Sequence, residues 1–575
     1  MSIAGWTQIG LLALLIGLLA RPLGGYLARV YAGERTPLQP ILGPIERALY
    51  RSAGVDPSAE QKWSDYAVAV LVFNIVGVMA LYLLLRCQSL LPLNPQGQPA
   101  LTPDLSLGTA ISFVSNTSWQ SYGGETTLSH LAQMAGIAVQ SFLSAATGLA
   151  VALALIRGFS RRTTGAIGNF WSDLTRSVLY VLLPICVVVA LFLVVEGVPQ
   201  TLAGYVDTQT LSGGTQLIAR GPVASQEAIK LLSGDGGGFF NVNSAHPFEN
   251  PTALTNFVEI ALMLVLGAGL TNTFGRMVGS ERQGWALLAT MALLFGLGIA
   301  VIYAGESRGN PVLASFGIDQ APGPLQAGGN MEGKEVRFGV VGSSLFAEGS
   351  TASSDGAVDA MHDSFMPLSG GVLLSNMMID EVIVGAPGSG LWGILLFALV
   401  AVFMAGLMIG RTPEYIGKKI EAREAKMAVL ALLCAPALIL GLAAAASVVP
   451  DGLTGLGNTG PHGFSEILYA YTSAAATNGS AFAGLSANTP FYNLTLALAM
   501  FAGRFLVIVP LLAIAGSLAA KRTIPSSAGT LPTDGLQFVL LLAGTIVIVG
   551  GLIFFPALSF GPIVEHFAMQ AGTTY

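Results

Sequence analysis

The sequence has little charge and few of the residues from which metal centres and disulfide frameworks are built. Only 10% of its 575 residues are charged, whereas an average soluble domain carries about 25%. Its three cysteines and five histidines are scattered, without the short spacing of metal ligands. We therefore expect no zinc cluster, no disulfide framework and no separate soluble catalytic domain.

Sequences for nucleotide chemistry are also lacking. The stretch from Gly328 to Lys334 has the spacing of a phosphate-binding loop. However, Glu335 stands where a serine or threonine would bind magnesium, and we predict no helix there whose N-terminus could hold a phosphate. The chain also has no Asp-Lys-Thr-Gly phosphorylation sequence. We predict that this chain has no nucleotide site, and that any ATP hydrolysis takes place on a partner.

Long apolar runs dominate what is present. The chain is 53% hydrophobic with a mean hydropathy of +0.67, which indicates a polytopic membrane protein. No Lys or Arg precedes the first apolar run, so we interpret it as a retained helix with its N-terminus outside, not a signal peptide. Windows of membrane length predict ten spanning helices, at about 3–22, 64–86, 129–156, 174–196, 253–277, 283–304, 371–409, 425–449, 491–519 and 536–557.

Four short polar stretches lie between these runs, about 120 residues apart, which predicts one unit used four times. They are Asn116-Thr117-Ser118, Gly234-Asp235-Gly236, Ser354-Asp355-Gly356 and Thr477-Asn478-Gly479. Each ends a short run that we predict to be re-entrant, at about 107–119, 223–237, 340–356 and 464–479. Irregular backbone at membrane depth is tolerated only inside protein or along a cavity. Four such turns on one axis would present carbonyl oxygens in place of the water shell of a small cation.

The predicted fold class is therefore an all-α polytopic membrane protein with four helix–pore helix–selectivity turn–helix units, like a potassium channel. The single membrane domain, 1–575, divides into a first helix with an inner loop, four repeats, and a last helix with an outer tail. Their predicted boundaries are 1–62, then 63–157, 172–278, 282–410 and 420–520, and finally 530–575.

The basic residues predict the orientation. With this topology nineteen Lys and Arg residues fall in inner loops and five in outer loops, which places both termini outside. The five assigned to the outer side are Arg220, Lys230, Arg308, Lys334 and Arg337. All four polar turns then enter from the external face, so we expect capture of the ion from outside.

Several segments resemble the potassium-binding A subunits of the bacterial Kdp potassium-transporting ATPase, and the resemblance runs along essentially the whole chain. They are NTSWQSYGGET (116–126), GGGFFNVNSAHPFENPT (236–252), GAVDAMHDSF (356–365), GRTPEYIGKKIEAREAK (410–426) and TNGSAFAGL (477–485). The resemblance implies a non-catalytic component of a P-type ATPase in the bacterial cytoplasmic membrane, whose ligand is the potassium ion. It also implies three protein partners from the Kdp complex: the P-type ATPase or B component, which hydrolyses ATP, the C component and the small F component. Membrane lipids are the other expected contacts, and nothing points to nucleic acid.

Carried over from the family, the potassium filter would consist of ten residues. They are Asn116, Thr117, Ser118, Gly234, Asp235, Gly236, Asp355, Gly356, Asn478 and Gly479. Ser118, Asp235 and Asp355 depart from residues common in the family. We expect both carboxylates to point behind the filter or into its vestibule, since the carbonyls coordinate the ion.

The residues next to the turns are expected to support them. Gly237 and Gly238 follow Gly236 and let the backbone turn without a Cβ clash. Gln120, Phe239 and Phe482 are predicted to pack behind the turns.

The seventh run, 371–409, is too long for one straight span and contains Gly385, Pro387, Gly388 and Gly390. We predict a broken helix beneath the third turn, because broken helices at membrane depth are typical of ion sites and gates. Glu381 in this run and Arg504 in the middle of the ninth span are predicted to form a charge barrier and gate, or to line the ion path. A structural salt bridge between repeats is the alternative.

The basic segment from Arg411 to Lys426 is first of all an inner loop. The resemblance adds a docking role against the ATP-hydrolysing partner for Arg411, Lys418 and Lys419. Two other functions remain open: a stand-alone potassium channel or ion-coupled transporter of the same superfamily, and a scaffolding membrane subunit whose polar turns are only packing features.

Overall fold

The structure is a computed structural model that describes residues 1–324, 326–385, 387–408, 410, 412–525 and 530–573. In these residues ten helices are long and apolar enough to cross a membrane, as the hydropathy pattern predicted. We number them spans 1 to 10: Ile3–Ala32, Trp63–Leu90, Ala132–Ser160, Phe170–Val195, Ala253–Met277, Glu281–Ser315, Ser389–Met408, Ala422–Ala446, Pro490–Ala520 and Leu536–Gln570.

Four shorter helices stand at the predicted re-entrant positions. They are Pro103–Val114, Val223–Leu232, Gly339–Ser353 and Gly460–Ala476, called re-entrant helices 1 to 4. Each is followed by one of the four polar turns, called turns 1 to 4 in chain order. Most residues of these helices are buried, because each helix packs among the spans of the bundle.

Short elements complete the described chain. The remaining helices are Gln39–Ala53, Gly124–Thr127, Asn243–Ala245, His362–Ser364, Pro367–Met378 and Pro450–Leu453. Spans 3, 4 and 10 each contain wider helical turns, at Ala132–Ala138, Ser177–Leu182 and Ser559–Ile563. Three antiparallel strand pairs lie in the connections: Gln61–Lys62 with Ala166–Gly168, Val206–Gln209 with Thr215–Ile218, and Glu414–Tyr415 with Lys418–Lys419.

The seventh apolar run is broken, as predicted. Helix Pro367–Met378 ends at Ile379, and span 7 resumes only at Ser389. The break begins before the glycines and proline that predicted it, since Asp380, Glu381 and Val384 already have φ values of 59°, 49° and 59°. The residues 379–385 and 387–388, here called the break loop, therefore connect the two helices as irregular and mostly buried backbone.

Close helix crossings use small residues, as is usual in membrane proteins. A Cβ on Gly24 of span 1 would overlap Gly269 and Asn272 of span 5. A Cβ on Gly503 of span 9 would overlap Ala475 of re-entrant helix 4. These contacts fix the re-entrant helices against the spans and so fix the turns that follow them.

Span 1 is longer than predicted. It continues to Ala32, ten residues past the expected end, because Pro22 is accommodated within the helix and the stop comes only at Gly33. Gly33 has φ 73° and caps the helix in the left-handed conformation.

Candidate functional site

Each re-entrant helix ends in the same hydrogen-bonded cap. An N–H two or three residues past the last helical residue donates to the carbonyl five residues earlier, as in a Schellman motif. The four bonds are Thr117 N to Ser112 O (2.9 Å), Asp235 N to Lys230 O (3.2 Å), Asp355 N to Ser350 O (3.2 Å) and Asn478 N to Ser473 O (2.9 Å). One local geometry is therefore repeated four times in a single chain.

The cap requires a left-handed residue at the first position of every turn. Asn116, Gly234, Ser354 and Thr477 occupy it, with φ values of 60°, 58°, 66° and 64°. Only one of them is glycine, although a left-handed conformation costs other residues roughly 1–2 kcal/mol. The β-branched Thr477 is the most unusual. This strain is held in place by the surrounding structure at all four turns.

Sequence analysis missed two members of this set. Ser354 and Thr477 were part of the four polar stretches but were left out of the predicted filter residues. Aligning the four stretches position by position would have placed them beside Asn116 and Gly234. Their caps are equivalent in the structure, so the candidate site comprises three residues in every turn.

A second left-handed residue follows in three of the turns. Ser118, Gly356 and Gly479 have φ values of 60°, 88° and 94°. Backbone that alternates between left-handed and other conformations turns successive N–H groups to one side and carbonyls to the other. This arrangement supplies the row of carbonyl oxygens that a cation site needs.

The four turns contact one another in ring order. Four contacts link neighbouring turns. Asn116 Nδ2 donates to Gly234 O, Gly236 N donates to Asp355 O at 2.6 Å, Ser354 Oγ donates to Thr477 O at 3.3 Å, and a Cβ on Gly479 would overlap the Thr117 carbonyl. The ring therefore closes from turn 4 back to turn 1. The structure brings all ten predicted filter residues together around one centre.

Both filter carboxylates are buried, and that of Asp235 bonds behind its turn. Asp235 is fully buried, and its Oδ2 accepts a hydrogen bond from Ser144 of span 3 at 3.3 Å. Asp355 is equally buried, and its Oδ1 accepts from the N–H of Ala357 at 3.1 Å. Neither carboxylate points into the vestibule, which was the other expectation. Asn478 also turns outward, since its Nδ2 donates to Ser350 O at 3.0 Å.

Gln120 links turns 1 and 2 as a two-point clamp. Its Nε2 donates to Gly238 O at 3.1 Å, and its Oε1 accepts from Gly238 N at 3.0 Å. Gly237 packs against Phe113, where a Cβ would overlap the ring. The amide and the two glycines therefore lie where a supporting role was predicted.

The aromatic residues predicted to support the turns are buried beside them. Phe239 packs edge-on against Phe240, with ring centroids 5.0 Å apart. Phe482 stacks on Tyr469 at 4.7 Å, and the Tyr469 hydroxyl lies 2.8 Å from His362 Nδ1. Burial and the nearby Lys334 ammonium lower the pKa of His362 to about 3, so this ring is neutral at physiological pH.

A buried ionic cluster supports turn 2, and sequence analysis missed it. Lys230 was assigned to the outer basic residues, but its side chain is 0% exposed. Its Nζ donates to Glu227 Oε1 (3.0 Å), Ser244 Oγ (2.8 Å) and Glu249 Oε2 (2.7 Å), while Glu249 Oε1 accepts from Phe240 N at 2.8 Å. The cluster ties re-entrant helix 2 to the backbone that leaves turn 2.

Lys334 was also counted among the exposed basic residues of the outer loops, and it too is buried. It ends the stretch with phosphate-loop spacing, yet its Nζ is buried in an ion pair with Glu306 at 2.9 Å. The ammonium also lies 4.1 Å from the centroid of the Phe365 ring. Lys230 and Lys334 thus each form a buried, structural ion pair with glutamate, and neither is an exposed charge in a loop.

The break loop lies directly behind turns 3 and 4. The Glu381 carboxylate is buried and interacts with the side chains of Ser354 and Asn478. A Cβ on Gly388 would overlap the Gly148 carbonyl of span 3, and the backbone around Gly385 lies against Gly267 of span 5. The loop therefore contacts repeats 1, 2 and 4 as well as its own.

Arg504 lies beside Thr477, the first residue of turn 4, and away from the residues that follow this turn. Its guanidinium is buried, 5.1 Å from the Trp392 ring centroid, and a Cβ on Gly148 would come within 3.0 Å of its Nη2. Arg504 interacts electrostatically with both Asp235 and Glu381. A small cavity of about 30 Å³ lies between Arg504, Thr477 and Asp380. The two predicted gate charges are therefore both buried near the turns, and no ion pair within 4.0 Å joins them in the described part of the chain.

The residues after the turns line a large open cavity, here called the mouth cavity. Its volume is about 1000 Å³, and its lining includes Trp119, Gln120, Asn241, Val358 and Ala483. Residues that follow each of the four turns therefore form the wall of the mouth cavity.

The predicted docking residues differ in their environment. Lys418 has a completely buried side chain whose Nζ donates to the carbonyls of Arg161 (2.5 Å), Leu518 (3.0 Å) and Lys521 (2.8 Å). This burial does not fit a docking role for Lys418. Lys419 is about half exposed and pairs with Glu421 at 3.3 Å. Arg411 lies outside the described residues.

Comparison with known proteins gives consistent matches along the chain. A sequence profile of the family described as "Potassium-transporting ATPase A subunit" matches residues 10–567. Proteins named "Potassium-transporting ATPase potassium-binding subunit" from Granulibacter bethesdensis and Methylobacterium nodulans are 62% and 61% identical over 575 residues, covering 100% of this chain and 100% and 99% of theirs.

Among solved structures, the potassium transporter TrkH from Vibrio parahaemolyticus has a similar fold. The TM-score is 0.52 at 14% sequence identity, over 87% of this chain and 96% of that one. This likeness concerns the architecture of the helices alone.

Proposed function

The chain belongs to the family of potassium-transporting ATPase A subunits, and from this premise we propose that turns 1 to 4 are its potassium selectivity filter. It is the non-catalytic, potassium-binding subunit of an ATP-driven potassium uptake system. One observation carries the assignment of the filter: four identical caps that meet in a closed ring at the base of an open cavity.

Backbone carbonyls coordinate the ion in this proposal. The side chains of Asp235 and Asn478 bond to span 3 and to re-entrant helix 3. The coordinating oxygens in this proposal are turn carbonyls, which keep a second lone pair even where they accept a hydrogen bond from a neighbouring turn. The carboxylates act at longer range, by making the centre of the ring more favourable for a cation.

Beneath the filter, the break loop and Arg504 control the onward path. A guanidinium below the carbonyl ring repels a cation that has passed the filter, so straight permeation is opposed. The Glu381 carboxylate compensates the positive charge of Arg504 on the side of turns 3 and 4. Gly385 and Gly388 of the break loop fit closely against spans 5 and 3. Movement of this loop opens the path toward the ATP-hydrolysing partner.

The partners and location follow from the family. ATP hydrolysis belongs to the P-type ATPase component, B, while the C and F components complete the complex, and this chain contributes no nucleotide site. The buried pairing of Lys334 with Glu306 supports that view, since the lysine of the phosphate-loop-like stretch is already engaged. The complex resides in the bacterial cytoplasmic membrane with both termini of this chain external. The orientation rests on the basic residues of the opposite loops, with Lys230 and Lys334 removed from the outer count.

Two other functions are less favoured. A stand-alone channel or ion-coupled transporter would share the fold, but the relatives are named for the ATPase. A pure scaffold would not need left-handed strain at non-glycine residues in three of four turns.

The test of this function is ATP hydrolysis by the purified assembly, titrated with potassium and with sodium. We expect hydrolysis to rise with potassium and to respond to sodium only at far higher concentration. The Asp235→Asn variant should keep its half-saturating potassium concentration within about threefold, because the side chain points to Ser144 and the amide preserves that bond. A tenfold increase would instead show that this carboxylate coordinates the ion. Equal stimulation by sodium in the wild type would refute a potassium filter.

A second prediction separates the two described docking lysines. In Lys418→Met three buried carbonyls lose their donor, so we expect the unfolding free energy to fall by about 1–3 kcal/mol, seen as a lower thermal midpoint. Lys419→Met should leave the midpoint unchanged and weaken copurification of the ATP-hydrolysing partner at raised salt, because an exposed charge acts mainly through the partner. Normal assembly of Lys419→Met at every salt concentration would remove it from the docking surface.

A further inference from the structure

Beside the mouth cavity, four side chains from distant parts of the chain converge. His462 at the start of re-entrant helix 4 has its Nε2 2.7 Å from Asp363 Oδ1 and its Nδ1 2.7 Å from Glu565 Oε1. Glu466 lies one turn further along the same helix and is fully buried. The ligand atoms of Asp363, His462 and Glu466 all lie within 4.8 Å of one another.

We propose that Asp363, His462 and Glu466 form a binding site for a divalent transition metal ion of the zinc type. Imidazole nitrogen and carboxylate oxygen are both zinc ligands, and three protein ligands leave the fourth tetrahedral position open. The sequence predicted no zinc cluster because Asp363 lies about 100 positions before His462 and Glu466 and joins them only in the fold.

The surrounding residues provide the outer contacts of a metal site. Glu565 accepts the Nδ1–H of His462 and so orients the ring, while a metal ion would replace the proton through which Nε2 bonds Asp363 Oδ1. Glu466 is oriented by two donors, Gly457 N at 3.0 Å to Oε2 and Asn458 Nδ2 at 2.8 Å to Oε1. Each carboxylate oxygen keeps a second lone pair with which to ligate the metal.

The cluster is accessible to an ion. A cavity of about 270 Å³ adjoins it and is lined by Asp363, His462, Glu565, Asn458 and Glu332. The side chains of His462 and Asp363 are 15% and 11% exposed, so the metal position borders this cavity. Glu332 on the cavity wall adds a further carboxylate that favours entry of a dication.

Occupancy of the site would be linked to the mouth. Asp363 N donates to Phe482 O at 2.9 Å, and the Phe482 ring lies 5.7 Å from the His462 ring. The three ligands and Glu565 thus join the segment that follows turn 3 to re-entrant helix 4 and to the end of span 10. A metal ion there would hold these three segments together.

The experiment is zinc binding by the purified assembly, with metal content measured after equilibration at buffered free zinc and removal of excess metal. We expect the wild type to retain a zinc ion that His462→Ala does not retain. Glu565→Gln should retain it with affinity reduced about 10–100-fold, the usual effect of losing an outer contact. The control is His566→Ala, which removes the neighbouring histidine that pairs with Gln570 and should bind zinc as the wild type does.

Zinc retention by His462→Ala equal to that of the wild type would overturn the proposal. If His462→Ala fails to assemble, the proposal is tested by the visible absorption spectrum of the wild type with cobalt(II). A visible absorption band of four-coordinate cobalt that zinc abolishes supports the site, and its absence overturns it. Neither measurement depends on potassium transport, so the metal site and the filter can fail separately.

Discussion

Replacing Gly479 by alanine is expected to raise the half-saturating potassium concentration of ATP hydrolysis at least tenfold, or to abolish the potassium response. Gly479 has φ 94°, and an added Cβ would overlap the Thr117 carbonyl oxygen of turn 1. The left-handed backbone alone costs alanine roughly 1–2 kcal/mol, and a tenfold change corresponds to about 1.4 kcal/mol. To make room for the added Cβ, the Thr117 carbonyl of the proposed filter has to move.

The control for this variant is Gly296→Ala in span 6. Gly296 is helical, and a Cβ there would meet no atom within 4 Å. We expect Gly296→Ala to retain the wild-type potassium response. If Gly479→Ala assembles normally and keeps the wild-type half-saturating concentration, the ring of turns is not the potassium site.

Replacing Lys230 by methionine is expected to prevent stable folding of the chain. Lys230 neutralises Glu227 and Glu249 in a cluster with no solvent exposure. Removing one partner of a buried ion pair typically costs about 3–5 kcal/mol, which is a large share of the stability of a protein. The measurement is the yield and the thermal midpoint of the purified assembly.

Two further variants make this prediction specific. Lys62→Met removes an exposed lysine and should leave the thermal midpoint unchanged. Lys230→Met combined with Glu249→Gln should recover part of the loss, since one buried carboxylate no longer lacks its cation. A wild-type midpoint for Lys230→Met alone would show that the cluster is dispensable.

The sequence was sufficient to predict the spans, the re-entrant helices and the four turns. These depend on hydropathy over membrane-length windows and on polar residues within apolar surroundings, which are local signals. The broken seventh helix was predicted for a similar reason. Its start at Ile379 was not, because Asp380 and Glu381 adopt left-handed conformations that only their tertiary contacts select.

The positions of individual charges were harder to predict. Lys230, Lys334 and Lys418 were treated as loop or surface residues, and all three side chains are buried. Lys230 pairs with Glu227 three residues earlier and with Glu249, whereas the partners of Lys334 and Lys418, Glu306 and the Leu518 carbonyl, are distant in sequence. A count of charges per loop assumes that each charge faces water, and this assumption fails where a partner arrives from another segment.

Because the four turns belong to one polypeptide, each can change by mutation without changing the others. In a channel assembled from four identical chains, one codon change alters the whole ring at once. Here Asn116, Gly234, Ser354 and Thr477 hold one backbone geometry with four different side chains. Selection can therefore change the proposed filter, and with it the ion affinity, one turn at a time. An asymmetric ring with an exit on one side can evolve in this way.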